Sequence, residues 1–302
     1  MAKTQQLQIG STQVEVSNLD KVLYPKTGFT KGHVIDYYIH ISRVLLPHLK
    51  DRPLTLKRYP EGVGGFFFYE KQCPEHRPKW VKVARVPRAK GGEICYCVVN
   101  DLPSLVWAAN LADLELHTFL HRAPKIEKPT ALAFDLDPGA PADIISCCDV
   151  ALAIKDIFDA LHLKCFPKTS GSKGLQVYVP LNSVVAYEKT KAFGRAVAEK
   201  LTRESPGAVV SKMQKALRQG KVFVDWSQND SHKTTICVYS LRARERPTVS
   251  TPVTWDEVAA AKRQKRAGLM TFDSGEVLKR VQTFGDLFEP VLKLKQKLPE
   301  EI

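Results

Sequence analysis

Residues 131–139 have the sequence ALAFDLDPG, which is the clearest structural signal in the chain. Its apolar residues alternate with Asp135 and Asp137, and a period of two is typical of a β-strand with one buried face. Pro138 and Gly139 end the strand. The same kind of analysis predicts strands at 175–181 and 221–227 and helices at 143–162 and 188–204. The sequence therefore predicts a mixed α/β fold, with mainly antiparallel sheets flanked by helices.

The residues before this strand predict a second group of elements. A helix is expected at 30–49 with Thr30 as its N-cap, followed by a strand at 54–59 and two short strands within 80–100. Asp101 is expected to begin a helix that continues to about residue 120. The segment 123–128 is a seam too short to be a free linker, so we expect one compact unit.

The C-terminal part predicts less regular structure. Residues 166–174 are expected to form a loop, and 234–244 a strand. Thr254 and Glu257 form a capping box that begins a basic helix. The tail 271–302 is expected to pack on the body or to fray.

Composition excludes several classes of protein. The chain has 302 residues, with 45 Lys and Arg against 32 Asp and Glu, so its formal charge is +13. We expect no membrane span and no signal peptide, because no long apolar run is present. Seven cysteines, an odd number, favour buried thiols in a reducing interior over a disulfide framework. The positive charge suggests a polyanionic partner such as nucleic acid, although many cytoplasmic proteins are simply basic.

Three carboxylates are candidates for metal binding. Asp135 and Asp137 point to one face of their strand, with Cα atoms about 7 Å apart. Oxygen ligands at this spacing suit Mg²⁺ or Mn²⁺, but two solvated acids before a turn would give the same pattern. Asp225 interrupts the apolar strand VFVDW, where the alternatives are an edge-strand aspartate or a structural ion pair with an arginine. Together the three acids match the arrangement used in two-metal nucleotidyl transfer.

A second candidate is a phosphate-binding loop at 168–174, with the sequence KTSGSKG. Its glycines let the backbone approach a ligand, and its hydroxyl, amide and lysine groups offer donors. It is not a Walker A motif, and an ordinary polar turn is the alternative. Arg242 and Arg244 share one face after a strand and suit a polyphosphate, or else form a solvated charge run.

Aromatic residues 66–69 lie beside Lys57 and Arg58 in the sequence. Such neighbours are used to grip unstacked bases, although most of these rings could belong to the core. Zinc binding is not expected. Cys73 and His76 form only half a site, and Cys95 and Cys97 on one strand face are expected to be buried thiols.

These pieces, taken in order, resemble the polymerase domain of bacterial ligase D, within the archaeo-eukaryotic primase superfamily. The resemblance covers about residues 16–257. It is carried by the segments SNLDKVLYPKTGFTK, LPHLKDRPLTLKRYPEG, VVNDLPSLVWAANLADLELH, FDLDP, FPKTSGSKGL, VFVDWSQN and YSLRARERPTVSTPVTWDE.

The resemblance implies a primase-polymerase fold of two lobes in a single domain, 1–302. Residues 1–125 would bind the DNA end and its 5′-phosphate, 126–255 would be catalytic, and 256–302 would form a basic helix and tail. It implies a cytoplasmic repair polymerase of non-homologous end joining that adds NTPs or dNTPs to a primer 3′-OH at gaps and breaks. Its partners would be DNA with a 5′-phosphate, Ku and a DNA ligase, and we expect a monomer.

The resemblance also assigns roles to residues. Two Mn²⁺ or Mg²⁺ ions would be held by the catalytic carboxylates Asp135, Asp137 and Asp225. The nucleotide and its triphosphate would be bound by His117, Ser170, Ser172, Lys173, Gly174, Gln176, Arg242 and Arg244. Lys21 and Lys31 would bind the 5′-phosphate across a gap. Phe68, Tyr69 and Arg58 would contact the template bases.

One position departs from the family pattern. The motif S-G-x-K-G-x-H usually ends in a histidine that contacts the triphosphate, and Gln176 stands there instead. A glutamine amide can donate a hydrogen bond but cannot become cationic. We therefore expect reduced activity. A catalytically weakened DNA-end-binding module and a primase that starts chains without a primer are the alternatives.

Overall fold

The computed structural model describes residues 4–88 and 91–300. By internal packing the chain divides into two compact units. The first consists of Met1–Pro124, Thr234–Val249 and Asp273–Gly285, and the second of Lys125–Lys233, Ser250–Phe272 and Asp286–Ile302. The lobe limits expected from the sequence stay a prediction. They differ from these units because two later segments pack with the N-terminal part.

The strands, in chain order, are β1 (Thr4–Ile9), β2 (Thr12–Ser17), β3 (Val22–Tyr24), β4 (Phe29–Thr30), β5 (Pro53–Arg58), β6 (Phe68–Glu70), β7 (Lys82–Pro87), β8 (Glu93–Val98), β9 (Asp113–Thr118), β10 (His121–Arg122), β11 (Lys125–Pro129), β12 (Ala131–Pro138), β13 (Phe166–Thr169), β14 (Leu175–Pro180), β15 (Val209–Val210), β16 (Val222–Asp225) and β17 (Thr235–Ile236). The helices are α1 (Lys31–Leu49), α2 (Leu102–Asn110), α3 (Ile144–Ala160), α4 (Tyr187–Glu204), α5 (Trp255–Gln264), α6 (Ser274–Phe284) and α7 (Glu289–Lys293). Short 3-10 helices lie at Lys215–Arg218, Trp226–Gln228 and Ala267–Met270.

The first unit is built on a six-stranded sheet with the order β17-β9-β5-β8-β7, in which β6 also pairs with β5. Helix α1 begins as expected at Thr30, whose side chain accepts from the backbone N–H of His33. Its buried side chains recur at helical spacing, and the hydroxyl of Tyr38 donates to the carbonyl of Leu114 on β9. The expected helix at 30–49 is confirmed.

The expected helix from Asp101 to about residue 120 is wrong in its second half. Helix α2 ends at Asn110, and Ala112 has a left-handed backbone with φ of 58°. Strand β9 then buries Leu114 and Leu116 on one face. A period of two therefore replaces the helical period, and His117 lies on a strand rather than on a helix with His121.

The second unit is built on a five-stranded sheet with the order β13-β14-β12-β16-β15, antiparallel except for the pair β15–β16. On β12, Leu132, Phe134 and Leu136 are fully buried in a core that includes residues of α3 and α4. Their alternation leaves Asp135 and Asp137 on the opposite face, as the sequence predicts.

Three further expectations are corrected in part. The segment expected to be a loop at 166–174 contains β13, which pairs antiparallel with β14. The strand expected at 234–244 is confined to Thr235–Ile236. The tail contains two helices, of which α6 contacts α1 and α7 contacts β14. The capping box at Thr254 is confirmed.

The cysteines also differ from expectation. Cys73 and Cys97 are joined in a disulfide, so Cys97 is not a free buried thiol. Cys95 is half-buried, and Cys147, Cys148, Cys165 and Cys237 are buried; none of these five forms a disulfide within the described residues. Within residues 4–88 and 91–300, no helix is long and apolar enough to cross a membrane.

Candidate active site

The acidic site of the second unit is centred on Asp135. Across β12 and β16 Asp135 is the direct partner of Asp225, and across β12 and β14 it is the partner of Gln176. Asp137 lies two residues further along the same face of β12. The sheet thus gathers the three predicted carboxylates, although Asp225 is about 90 residues away in sequence.

Electrostatics at this face favour a bound cation. Burial and the charges of Asp137 and Asp225 raise the pKa of Asp135 to about 7, although a hydrogen bond from Gln176 and the charge of Lys168 oppose this. A divalent cation would relieve the repulsion, and carboxylate oxygens are the donors that Mg²⁺ and Mn²⁺ prefer. Among the described residues, no group of three or more His, Cys, Asp or Glu side chains is arranged so that it could hold a metal ion by itself.

Asp225 is held by polar neighbours rather than by an arginine. Its Oδ1 accepts from the N–H of Ser227 at 2.9 Å and from the hydroxyl of Ser227 at 2.5 Å. Its Oδ2 accepts from the side-chain amide of Gln228 at 2.9 Å. These bonds cap the 3-10 helix that follows β16 and fix the orientation of the carboxylate.

The loop between β13 and β14 is a tight, closed turn. The hydroxyl of Ser170 accepts from the N–H groups of Ser172 at 3.2 Å and Gly174 at 3.1 Å. A Cβ at Gly174 would lie 2.0 Å from the carbonyl oxygen of Leu136, so only glycine fits against the strand that bears the acids. Lys173 is exposed. The turn therefore fixes the backbone beside β12 and leaves the lysine in solvent.

Gln176 is buried, with 3% of its surface exposed. Its Oε1 accepts from the hydroxyl of Tyr178 at 3.4 Å, and its side chain also bonds to Asp135. The role of Gln176 in binding a triphosphate stays a prediction.

Sequence analysis missed Lys168, which is 1% exposed and lies opposite Gln176 in the register of β13 and β14. Its Nζ donates to the hydroxyl of Ser250 at 2.6 Å and lies 5.6 Å from the ring centroid of Tyr178. The cross-strand row is therefore Lys168, Gln176, Asp135, Asp225. The prediction of a loop at 166–174 concealed the place of Lys168 in this row. The strand-like alternation through Phe166–Thr169 could have revealed it.

In the first unit, two predicted nucleotide-binding residues share one partner that sequence analysis missed. The Nε2 of His117 and the Nε of Arg242 lie 3.1 and 3.3 Å from carboxylate oxygens of Glu115. Burial lowers the pKa of His117, while Glu115 opposes that shift. Arg244, in contrast, is exposed. The alternation in DLELH, once assigned to a strand, places Glu115 and His117 on one face.

The aromatic segment lies largely in solvent. Phe66, Phe67 and Tyr69 are exposed by 69%, 46% and 55%, so the alternative that these rings belong to the core does not hold for them. Phe68 is half-buried, and the guanidinium of Arg58 lies 5.2 Å from its ring centroid. Arg58 also forms an ion pair with Glu70 at 2.8 Å, so it is held within the sheet.

The two predicted 5′-phosphate-binding lysines differ in environment. Lys21 is partly exposed and pairs with Glu61 at 3.4 Å. Lys31 is 6% exposed, and its Nζ donates to the carbonyl of Asn110 at 3.0 Å. Burial, together with the charge of Lys21, lowers the pKa of Lys31 to about 8. The two ammonium groups therefore repel each other, and a phosphate would relieve that repulsion.

Comparison with known proteins gives one consistent result. The family model for the LigD primase-polymerase domain matches residues 30–288. The chain is 41% identical over 281 residues to the multifunctional non-homologous end joining protein LigD of Mycolicibacterium smegmatis, covering 92% of the chain and 36% of that protein. It is 32% identical over 250 residues to the bifunctional LigD of Bacillus subtilis, covering 82% of the chain and 40% of that protein.

A solved structure agrees. The polymerase domain of Mycobacterium tuberculosis ligase D, determined in complex with DNA, matches with a TM-score of 0.85 and 40% identity, covering 92% of this chain and 97% of that one. This match supports the expected fold class. The chain spans only about 36–40% of the length of the LigD proteins quoted above.

Proposed function

Because the chain belongs to the LigD primase-polymerase family, we propose that it is a DNA repair polymerase that transfers nucleotides to a primer 3′-OH by a two-metal mechanism. The observation that supports this most strongly is the gathering of Asp135, Asp137 and Asp225 on one sheet face. Acids that repel one another are tolerated at a site that a divalent cation neutralises.

The residues have separable roles in this proposal. Asp135, Asp137 and Asp225 would hold Mn²⁺ or Mg²⁺. When bound, such ions activate the attacking hydroxyl and stabilise the leaving phosphates. Lys173 and Arg242 would neutralise the triphosphate charge, with Ser170, Ser172, Gly174, Gln176, His117 and Arg244 completing the nucleotide contacts.

The substrate proposed is gapped or broken duplex DNA with a 5′-phosphate. Lys21 and Lys31 would bind that phosphate, and the exposed rings of Phe66, Phe67 and Tyr69, with Phe68, offer stacking surfaces for template bases. The solved relative is in complex with DNA. Relatives are named for non-homologous end joining, and from this we propose a role in that pathway with Ku and a ligase as partners.

A second candidate function is DNA-end binding without turnover. Gln176 favours it, because a neutral amide replaces the cationic group of the family motif. The two functions differ in their use of metal. In a polymerase Mn²⁺ should promote nucleotide binding, whereas an end-binding module needs no such effect.

The test is extension of a gapped, 5′-phosphorylated duplex with NTP or dNTP and Mn²⁺ or Mg²⁺, beside the Asp135→Asn variant. Metal-dependent extension that the variant lacks supports the polymerase. Absence of extension, with binding that depends on the 5′-phosphate, supports the end-binding module. Dinucleotide synthesis on a bare template would indicate a primase instead.

A further inference from the structure

Glu115 is a buried carboxylate with an unusual number of partners for its side chain. Only 2% of the residue is exposed. Its Oε1 accepts from the N–H of Ala243 at 3.0 Å and pairs with the Nε of Arg242 at 3.3 Å. Its Oε2 pairs with the Nζ of Lys57 and with the Nε2 of His117, each at 3.1 Å. One carboxylate thus connects three basic side chains.

Glu115 and its three basic partners come from three segments of the first unit. Lys57 lies on β5, Glu115 and His117 lie on β9, and Arg242 follows β17. Lys57 is the cross-strand partner of Glu115 on one side and of Tyr69 on the other. The ammonium of Lys57 lies 4.8–5.4 Å from the ring centroids of Tyr59, Phe67 and Tyr69. Glu115 therefore anchors the lysine that these rings surround, of which Phe67 and Tyr69 are exposed and Tyr59 is buried.

The segment that carries Arg242 is fixed to β9 by backbone contacts around Glu115. The N–H of Leu116 donates to the hydroxyl of Ser240, and the N–H of Cys237 donates to the carbonyl of Leu116. With the N–H of Ala243 bonded to Glu115 itself, the backbone on both sides of Arg242 has a defined position. The ion pair with the carboxylate then draws the guanidinium toward Glu115.

The charge of Glu115 also determines the proton on His117. A hydrogen bond from His117 and the charges of Arg242 and Lys57 overcome the effect of burial and hold the pKa of Glu115 well below its usual range. An ionised carboxylate only accepts hydrogen bonds, so the proton of the neutral imidazole lies on Nε2. His117 is thus fixed in both orientation and tautomer.

We infer that Glu115 is a positioning residue for nucleotide transfer, which aligns Arg242 and His117 for the incoming triphosphate. The inference rests on the proposed function, which assigns those two residues to the nucleotide. A structural role alone explains this arrangement less well. Replacing a buried ion network by apolar residues is often neutral or stabilising, so such a network is weak evidence of a contribution to stability.

The test compares Glu115→Gln with a matched change on the same strand, Asp113→Asn. Both replace a buried carboxyl by its amide. The amide oxygen of Gln at 115 can still accept from Ala243, but the variant loses the charge that orients Arg242 and His117. The carboxyl of Asp113, in contrast, accepts from the backbone N–H of Lys57 at 2.7 Å.

We expect Glu115→Gln to lower kcat for nucleotide incorporation by about 10- to 100-fold, the scale of a misaligned catalytic contact. KM for the nucleotide should change less than threefold, because loss of the negative charge also removes repulsion of the triphosphate. In Glu115→Gln, the ring ¹⁵N chemical shifts of His117 should no longer be those of the Nε2–H tautomer. Asp113→Asn should keep both kinetic constants within twofold and should keep the tautomer.

Glu115→Asp retains the charge on a shorter side chain and should give a kcat between those of the wild type and Glu115→Gln. It serves as the test variant if Glu115→Gln fails to fold. If the wild-type protein is active and Glu115→Gln leaves kcat unchanged, the inference is overturned while the proposed function stands. Equal losses of kcat, DNA binding and thermal stability also overturn it, since they indicate a structural role. Absence of Asp135-dependent incorporation in the wild-type protein overturns the proposed function and this inference together.

Discussion

Asp135 lies directly opposite Asp225 in the antiparallel pairing of β12 and β16. Directly opposed acids destabilise a sheet unless a partner neutralises them. The neutral amide of Gln176 bonds to Asp135, while Ser227 and Gln228 bond to Asp225. None of these neighbours carries a positive charge. The charge of Lys168 acts on Asp135 from the same cross-strand row, and we propose that a divalent cation neutralises the remaining charge of the acids.

Replacing Asp135 by Asn should remove metal-dependent incorporation. The change preserves shape but removes a charge that would hold the cation, so we expect a loss of at least about 100-fold in kcat, comparable to loss of one strong electrostatic contact in a transition state. Binding of Mn²⁺, followed by electron paramagnetic resonance, should weaken in parallel. Asp159→Asn, an acid on α3 paired with Lys155, is the control and should behave as wild type. Full activity in Asp135→Asn would refute the metal assignment.

Replacing Gln176 by His should strengthen nucleotide binding. A hydrogen bond from a charged donor contributes about 1 kcal/mol more than one from a neutral donor, which lowers KM by roughly five- to tenfold. Steady-state kinetics with NTP and Mn²⁺ measure this change. Gln176→Asn, with a shorter amide, is the matched control and should raise KM. If KM is the same in wild type and Gln176→His, the side chain at 176 makes no contact with the triphosphate.

The local sequence pattern was enough to predict the acidic strand, because the alternation in ALAFDLDP and the Pro138-Gly139 turn that ends it lie within a few residues. It was enough for α1, whose N-cap Thr30 and helical spacing are local, and for α5, whose capping box is local. The pairing of Asp135 with Asp225 was not predictable, because the register between distant strands is set by tertiary packing. The helix predicted through residue 120 failed at Ala112, where a left-handed backbone ends α2 and a two-residue period begins. That error hid Glu115, whose partners are His117 on the same strand and side chains from two other segments.

Replacing Gly174 by Ala should destabilise the second unit. The added Cβ would lie 2.0 Å from the carbonyl oxygen of Leu136, so the turn or β12 must shift. Overpacking of this kind costs about 1–3 kcal/mol, which corresponds to a fall in Tm of roughly 2–5 °C for a chain of this size. Calorimetry measures the shift. Gly207→Ala is the control, since a Cβ there meets nothing within 4 Å and Tm should not fall. Equal Tm values for the two variants would show that the turn is not packed against β12.

Recognition of the 5′-phosphate should weaken as pH rises from 7 to 9. Burial and Lys21 lower the pKa of Lys31 to about 8, so the ammonium is mostly charged at pH 7 and mostly neutral at pH 9. If only the charged form binds the phosphate, the apparent Kd rises about tenfold over this interval. The measurement is binding of a gapped duplex with a 5′-phosphate, set against the same duplex with a 5′-hydroxyl, at both pH values.

Lys31→Arg is the matched variant for this pH effect, because a guanidinium stays charged throughout the range. Its preference for the 5′-phosphate should be the same at pH 7 and pH 9, while the preference of the wild-type protein declines. A wild-type preference that does not change with pH would show that the phosphate is bound elsewhere. A decline of equal size in Lys31→Arg would assign the titration to another group.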